Sequence, residues 1–320
     1  MAQTGTKRAL LIGINYSGST QLYGCIQDVL QIQGVLIDAY GFKPEEIRVL
    51  RDDDPSTMPT KARILSAMDA LVQENPQFVY VHYSGHGVSV ADTSRDEADG
   101  RDECIVPVDF ATSGVISDDM IKANLGRLRG TGVTVFDCCR SGTVMDLPNQ
   151  GIQTTNQTTT QGGIYCFSGC QDNDYAAETV SAVTNLPQGA MTTALIAVLR
   201  RTGYYPAIAT LYTEVKKELA SNGFTQVPNL TSSIPVTLTT PHPLPRPAYV
   251  AQITDLQQRL QGAEQKLQAT QQALETEKTF SRQLTVANLT ITSLRQQNMQ
   301  LSAQLRQAEQ AARQSVVKRR

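Results

Sequence analysis

The sequence predicts an α/β domain with a mostly parallel central sheet, followed by a long helical tail. Short apolar runs alternate with segments of helical periodicity between residues 8 and 240, which is the pattern of parallel strands joined by helices. Prolines at every second position from 241 to 247 then form a stiff, extended segment. Beyond it, residues 251–320 contain no proline and carry apolar residues at heptad spacing, which is typical of a coiled coil.

Strands are predicted from short apolar runs that end in turn residues, and helices from apolar residues three or four positions apart. Arg8–Asn15 is such a run, and the helix after it begins at Cys25. The other strands are predicted at 46–50, 78–82, 132–136, 163–168 and near 235–238, and the other helices at 60–72, 191–200 and 208–221. Residues 148–163 are rich in Asn, Gln, Thr and Gly and are predicted to be an exposed loop.

The tail that follows the proline segment has two heptad runs, one from Ile253 to Leu274 and one from Leu284 to Leu305. The step of ten residues between Leu274 and Leu284 inserts three residues into the repeat, which overwinds a supercoil locally. Asn298 occupies a seam position, where a buried Asn favours two strands in register. A helix folded back on the preceding domain is the alternative that the sequence leaves open.

Charge is distributed unevenly along the chain. Residues 1–248 carry 18 Lys and Arg against 25 Asp and Glu, whereas residues 249–320 carry 10 against 5. An acidic domain lacks the concentrated basic face that a phosphate backbone needs, which argues against nucleic acid as its partner. No apolar run is long enough to span a bilayer, and no signal-peptide pattern opens the chain. Six cysteines without Cys-x-x-Cys pairs indicate reduced thiols. Together these features predict a cytoplasmic protein.

Two turns that follow predicted strands carry reactive side chains. Tyr83–Gly87 has the sequence Tyr-Ser-Gly-His-Gly, and Asp137–Gly142 has the sequence Asp-Cys-Cys-Arg-Ser-Gly. Because the carboxyl ends of parallel strands share one edge of a sheet, the two turns are expected to face the same crevice. Of the three histidines, only His86 lies in a glycine-flanked turn after a strand, which makes it the candidate base for a thiol nucleophile. From spacing alone, that nucleophile is either Cys138 or Cys139.

These two motifs, together with Phe167–Asp172 and Thr225–Ser233, resemble those of metacaspases, the caspase relatives that cleave after Arg or Lys. The chain is similar to a type I catalytic region without a proline-rich prodomain. The resemblance implies a caspase-like three-layer sandwich and a cysteine peptidase. It also implies that His86 and Cys139 are the catalytic pair, because the family nucleophile is the second of the two adjacent cysteines.

The resemblance implies a pocket for the basic side chain of the substrate. Its lining residues would be Asp28, Ser84 and Asp137, with Cys25 at the edge. Carboxylates suit this role because a buried cation without a counter-charge is costly. For Asp28 a structural role is the alternative, since an acid at the start of a helix interacts favourably with the helix dipole. Arg or Lys, rather than Asp, is therefore expected before the scissile bond of protein and peptide substrates.

The segment from Asp92 to Asp119 holds nine acids against two arginines. Hard cations bind to such clusters of oxygen ligands, although a solvated acidic loop has the same composition. The activating calcium site of the family maps onto Asp102, Asp118, Asp119 and Asp146. The resemblance therefore implies Ca²⁺ as an activator.

The predicted domain division has five parts. They are a large-subunit-like catalytic region (1–147), a polar linker (148–163), a small-subunit-like region (164–240), a proline-rich linker (241–248) and the coiled coil (249–320). No Lys or Arg occurs from Ser141 to Leu199, so an enzyme of basic specificity cannot cut this linker and is expected to act as one chain. The coiled coil is expected to bind a second copy or a partner protein. The rival hypothesis is a scaffold that has lost turnover, which Arg140 favours because most metacaspases have His there.

Overall fold

The computed structural model of the protein consists of two compact units, one from Thr4 to Pro245 and one from Arg246 to Arg320. The residues that it describes are 5–91, 100–138, 144–145, 147–153, 163–169, 178–180, 187–246, 256, 259–268 and 281–317. The first unit contains the strands and most of the helices. The second unit is helical where it is described.

The elements alternate between strand and helix up to residue 84 as the sequence predicts, and beyond it several strands follow one another with no described helix between them. The strands are β1 (Lys7–Gly13), β2 (Ile47–Arg51), β3 (Phe78–Ser84), β4 (Gly87–Ala91), β5 (Arg101–Ile105), β6 (Ile116–Ser117), β7 (Thr131–Asp137), β8 (Asn149–Gln150), β9 (Ile164–Ser168), β10 (Glu178–Val180), β11 (Pro187–Gly189) and β12 (Asn229–Ser232). The helices are α1 (Cys25–Tyr40), α2 (Lys61–Gln73), α3 (Phe110–Ser113), α4 (Asp118–Leu125), α5 (Ala190–Arg201), α6 (Ile208–Ser221), α7 (residues 259–268) and α8 (Ser281–Val317).

The central sheet has the strand order β2-β1-β3-β7-β9-β12-β8. The five strands from β2 to β9 are parallel, whereas β12 is antiparallel to both of its neighbours. In the register between β3 and β7, Ser84 lies opposite Asp137. The two turns that carry the reactive side chains therefore leave the same edge of the sheet, as expected for parallel strands.

Helices cover both faces of the sheet, which confirms the three-layer sandwich. On one face α2 and α4 pack together, and on the other α1 contacts β1, β3 and α5. Alternation along the strands divides the core between these faces. One face joins alternate residues of β1 and β3 with helical side chains of α2 and α4, namely Leu10, Ile12, Val79, Val81, Ile64, Met68 and Ile121.

The antiparallel part of the structure differs from the sequence-based expectation. The strand of the sheet that comes last along the chain is β12. The segment near 235–238, where a strand was predicted, contributes only an isolated bridge between Val236 and Ile152. Pro235 precedes that bridge and has no N–H to donate, which limits pairing there. Part of the predicted polar loop enters the sheet as β8, while residues 154–162 lie outside the described residues. Small sheets β4-β5-β6 and β10-β11 were not predicted.

The proline segment packs on the first unit as far as Pro245. The ring of His242 stacks on that of Tyr40 with centroids 5.3 Å apart and planes 2° from parallel. Leu244 is buried, and the ring of Tyr205 lies edge-on to that of His242 with centroids 5.7 Å apart. These contacts attach the segment to the end of α1 and bury the imidazole, which lowers the pKa of His242 to about 4.

The second unit contains helices α7 and α8, and both line one groove, so they lie side by side within this unit. Burial along α8 follows the predicted seam: Ile291, Leu294, Asn298, Leu301 and Leu305 are each less exposed than the residues immediately preceding them. The coiled coil itself stays a prediction. Among the described helices, none has both the length and the hydrophobicity that crossing a membrane requires.

Candidate active site

His86 lies in the turn between β3 and β4, as the sequence predicts. A Cβ atom on Gly85 would lie 2.6 Å from the hydroxyl oxygen of Tyr83 and 3.1 Å from that of Tyr16. The chain can therefore make this turn only with glycine before the histidine. The His86 ring is half-buried and packs against the ring of Tyr16, with centroids 4.6 Å apart.

One hydrogen bond fixes the protonation pattern of this imidazole. The Nε2 atom of His86 lies 2.6 Å from the backbone carbonyl oxygen of Thr20. Because a carbonyl can only accept, Nε2 carries the hydrogen in the neutral ring, and Nδ1 has the lone pair. This tautomer can take a proton from a thiol at Nδ1 while the carbonyl of Thr20 holds the opposite edge of the ring.

The thiol turn begins directly after β7. Cys138 is 1% exposed and belongs to the hydrophobic core beside Tyr83 and Phe136. A thiol in that position packs as an apolar side chain and cannot reach a substrate. Cys139 and Arg140 lie outside the described residues. Spacing leaves open which of the two cysteines is the nucleophile, and the burial of Cys138 argues against that residue.

Two of the predicted pocket residues form one buried cluster. Asp28, in the first turn of α1, is fully buried, and the hydroxyl of Ser84 donates to its Oδ2 atom at 2.6 Å. The backbone N–H of Gly189 donates to the same carboxylate, 2.9 Å from Oδ1. Cys25 lies one turn before Asp28 and is also buried. A dipole interaction alone would not require these contacts, so Asp28 has a specific environment as well as a helix position.

Asp137 is held by the start of α5. Its Oδ2 atom accepts from the backbone N–H of Thr192 at 2.9 Å and from the Thr192 hydroxyl at 2.7 Å. Since that hydroxyl donates its hydrogen to Asp137, it can only accept from Nε2 of His82 at 3.2 Å. Burial lowers the pKa of His82 to about 3, so this histidine stays neutral inside β3.

Gly189 brings the two carboxylates together. A Cβ atom built on this glycine would lie 2.2 Å from Oδ2 of Asp137 and 2.8 Å from Oδ2 of Asp28. Both acids therefore border the same backbone segment, next to the ends of β3 and β7. The structure thus assembles Asp28, Ser84 and Asp137 on one side of the sheet edge that carries His86.

The residues mapped to calcium lie on and after β5. Asp102 and Asp118 are 6% and 2% exposed, respectively, and Glu103 between them is also buried. The Asp118 carboxylate accepts the backbone N–H of Glu103 at 3.0 Å and that of Asp119 at 2.8 Å. Burial, then the charges of Asp118 and Asp102, raise the pKa of the Cys104 thiol to about 12. The two carboxylates therefore share one neighbourhood.

Asp146 and residues 92–99 lie outside the described residues. Within the described ranges, no group of three His, Cys, Asp or Glu side chains is arranged to hold a metal ion. The donor chemistry of Asp102, Asp118 and Asp119 nonetheless fits Ca²⁺, since all three supply only oxygen ligands. The calcium site stays a prediction.

Several residues around the site were not predicted from the sequence. Thr20, Tyr16, Thr192 and Gly189 contact the predicted residues from loops and helix starts that are distant in the chain. Their residue types are ordinary, and no local spacing marks them. Only the glycine before α5 gives a signal, because a glycine at a helix start often marks a close approach of backbone.

The structure is thus an α/β domain with a histidine turn and a cysteine turn at the ends of two neighbouring parallel strands. Residues 7–148 match the family profile described as "Metacaspase, peptidase C14 domain". This region of the chain is therefore similar to a metacaspase peptidase domain.

Curated relatives support the same assignment. Metacaspase-1 of Eremothecium gossypii is 46% identical over 153 residues, which cover 45% of this chain and 34% of the relative. Metacaspase-1A of Neurospora crassa is 46% identical over 154 residues, with the same two shares. Metacaspase-1B of Aspergillus niger is 39% identical over 198 residues, which cover 58% of this chain and 45% of the relative. The chain thus spans less than half the length of these relatives.

A solved structure of a Geobacter sulfurreducens protein shares the fold. It superposes with a TM-score of 0.52 at 21% sequence identity, and the match covers 71% of this chain and 93% of that one. At this level of identity the likeness concerns the fold alone.

Proposed function

We propose that this protein is a calcium-stimulated cysteine endopeptidase that cleaves after Arg or Lys, with His86 as general acid and base and Cys139 as nucleophile. The observation that carries the proposal is the tautomer of His86. Its Nε2–H is committed to Thr20, 2.6 Å away, which leaves Nδ1 as the basic nitrogen. A thiol needs such a base, since the thiolate and not the thiol attacks a carbonyl carbon.

The proposed reaction proceeds through an acyl-enzyme. Nδ1 of His86 takes the proton of the Cys139 thiol, and the sulfur attacks the scissile carbonyl carbon to form a C–S bond. The C–N bond then breaks as the imidazolium returns the proton to the leaving amine. Water, activated by the same nitrogen, attacks the thioester, which releases the carboxylic acid product and restores the thiol.

Backbone N–H groups of Gly87 and Cys139 are proposed to hold the oxyanion. Gly87 lies opposite Ile105 in the β4-β5 pair, and the N–H of Val106 donates to the His86 carbonyl at 3.2 Å. This pattern makes Gly87 a non-hydrogen-bonded position of the ladder, so its N–H points away from β5. Such a fixed donor stabilises developing negative charge without reorganisation.

The buried acids favour a basic residue before the scissile bond. Asp28 and Asp137 are both at most 4% exposed and border Gly189 from two sides. A guanidinium or ammonium group entering here meets two carboxylates in a poorly solvated place, where charge-assisted hydrogen bonds are strongest. An acidic substrate side chain would instead be repelled. Arg and Lys are therefore the proposed substrate residues.

Calcium is proposed to act through the acids that follow β5. Asp102, Asp118 and Asp119, with Asp146, would hold the ion, and neutralising their charge would order this region. The buried pair Asp102 and Asp118 supports the proposal, because two nearby carboxylates with little solvent gain from a cation. The four described cysteines are free thiols, which fits the proposed location in the reducing cytoplasm.

The chain is further proposed to act uncut and to associate through its tail. No Lys or Arg lies between Ser141 and Leu199, and β8 within this stretch is part of the sheet. For the tail, a second copy of the chain or a partner protein is the proposed ligand. The heptad spacing of apolar residues in this tail supports the proposal, since such a seam pairs with another helix.

The test compares wild type with Cys139→Ala on fluorogenic peptides that end in Arg, Lys or Asp, in calcium and in chelator. Cleavage after Arg and Lys only, stimulated by calcium and abolished by Cys139→Ala, is expected. Cys138→Ala is the matched control and should keep activity if the protein folds. Asp28→Asn or Asp137→Asn should reduce cleavage after Arg by about 100-fold, as for loss of a buried charge partner. Wild type without turnover under any condition would favour the scaffold.

A further inference from the structure

We propose that Tyr16 is a positioning residue for the general base, which it holds through both its ring and its hydroxyl. The inference rests on the proposed role of His86 and concerns a residue outside the two catalytic turns. Tyr16 lies in the loop between β1 and α1, some seventy positions before the histidine in the chain. Three independent features of its environment support this role.

The ring of Tyr16 restrains the imidazole from one face. The two ring centroids are 4.6 Å apart, with planes inclined by 37°. The same loop also contributes Thr20, whose carbonyl oxygen accepts from Nε2 of His86. The β1–α1 loop therefore holds the imidazole at a face and at an edge. A flip that moves Nδ1 away breaks the hydrogen bond to Thr20, and a tilt of the ring breaks its contact with Tyr16.

The hydroxyl of Tyr16 fixes the backbone of His86. It accepts from the His86 backbone N–H at 3.0 Å and donates to the carbonyl of Val106 at 2.6 Å. Tyr83 completes the arrangement: its hydroxyl donates to the His86 carbonyl at 2.7 Å and accepts from the N–H of Val106 at 3.2 Å. Both backbone groups of His86 are thus bonded to phenols. Burial raises the pKa of both phenols, so both keep the hydrogen that they donate.

The backbone of Tyr16 is held in an unfavourable conformation. Its φ is 56°, in the left-handed region that bulky residues rarely occupy. Asp52, just after β2, keeps it there, because its carboxylate accepts the N–H of Asn15 at 2.9 Å and that of Tyr16 at 2.7 Å. Strain that is retained by a dedicated anchor is typical of functional positions. The anchor points the aromatic ring at the imidazole.

The test measures kcat, KM and thiol alkylation for Tyr16→Leu, Tyr16→Phe and Tyr80→Phe in the full chain with calcium. Tyr16→Leu removes ring and hydroxyl, and a misplaced base should lower kcat by roughly 100-fold with KM within about twofold. Tyr16→Phe keeps the ring and should lose roughly tenfold. Tyr80→Phe is the matched control, since the Tyr80 hydroxyl is buried and has no hydrogen-bond partner among the described residues. It should match wild type.

The pH dependence of alkylation separates positioning from simple destabilisation. In wild type the imidazolium should keep Cys139 reactive towards iodoacetamide well below the usual thiol pKa of about 8.5. In Tyr16→Leu the alkylation curve should move towards that value, followed at Cys139 by peptide mass mapping. Circular dichroism verifies that each variant is folded. If Tyr16→Leu does not fold, the comparison of Tyr16→Phe with wild type tests the positioning role.

Two outcomes would overturn the inference. One is a kcat within twofold of wild type together with an unshifted pH midpoint of alkylation in folded Tyr16→Leu. If Tyr16→Leu does not fold, the same result in Tyr16→Phe counts instead. The other is a loss confined to KM, which would make Tyr16 a substrate contact. Failure of the proposed function gives a different result, namely no Cys139-dependent cleavage in wild type itself.

Discussion

The buried hydroxyl of Thr192 gives a prediction whose size follows from its contacts. Thr192 is fully buried, donates to Oδ2 of Asp137 at 2.7 Å and accepts from Nε2 of His82 at 3.2 Å. Thr192→Val keeps the shape of the side chain and removes only the hydroxyl. The N–H of His82 then has no acceptor there, and Asp137 keeps the backbone N–H of Thr192 as one of its donors.

The expected loss is about 3 kcal/mol of unfolding free energy. A buried donor left without an acceptor costs about 1–3 kcal/mol, and a hydrogen bond to a charged group contributes about 1.5–3 kcal/mol. Relaxation of α5 offsets part of the sum. Thr193→Val is the matched control, because the Thr193 hydroxyl has no hydrogen-bond partner among the described residues. It should stay within about 0.5 kcal/mol of wild type.

Urea unfolding followed by tyrosine near-ultraviolet circular dichroism measures the difference. The chain has no tryptophan, and ten of its eleven tyrosines precede residue 246, so this signal reports on the first unit. Equal losses in Thr192→Val and Thr193→Val would refute the reasoning, as would a Thr192→Val protein of wild-type stability. Either result would mean that the hydroxyl does not link Asp137 to His82.

Two further predictions use the same measurement. Gly189→Ala should prevent folding or lower the free energy of unfolding by more than about 3 kcal/mol, because its Cβ would meet the carboxylates of Asp137 and Asp28. Gly34→Ala has open space around it in α1 and should instead raise the free energy of unfolding by about 1 kcal/mol. A Gly189→Ala protein more stable than Gly34→Ala would contradict this. The pKa of His242 is lowered in the folded state, so the unfolded chain binds the proton first, and stability should be lost as pH falls from about 6.5 to about 4. His242→Phe keeps the stack on Tyr40 and should reduce this loss by about 3 kcal/mol at pH 4, whereas an unchanged pH profile would count against it.

Most of the parallel sheet could be predicted from the sequence. Each of β1, β3, β7 and β9 is a short, mainly apolar run with turn residues after it, as expected of strands buried on both faces. The edge strand β2 instead alternates apolar residues with arginine, and Arg48 is exposed. The antiparallel strands were harder to predict. Asn229–Ser232 forms β12 although it begins with Asn and is only four residues long. Its place depends on pairing with β9 and β8, which local sequence does not encode.

For the candidate site, the sequence identified the residues with unusual chemistry. His86 was distinguished by its glycine-flanked turn, and Asp28, Ser84 and Asp137 by resemblance to a family. The residues that hold them were not identified, because threonine, tyrosine and glycine are common in every protein. Thr192 and Gly189 reach Asp137 and Asp28 across 55 and 161 positions of chain, respectively. Such contacts exist only once α5 is packed against α1.

The sequence by itself determined the early alternation of strand and helix, the two reactive turns and the similarity of residues 7–148 to a peptidase family. Apolar periodicity and glycine position are local properties, and they can be read without knowing which segments meet. Only the tertiary structure decided that Cys138 belongs to the core and that Nδ1 is the nitrogen of His86 with the free lone pair. It also decided that two distant acids border one glycine. These facts depend on burial and hydrogen-bond direction, which arise when loops far apart in the chain pack at one edge of the sheet.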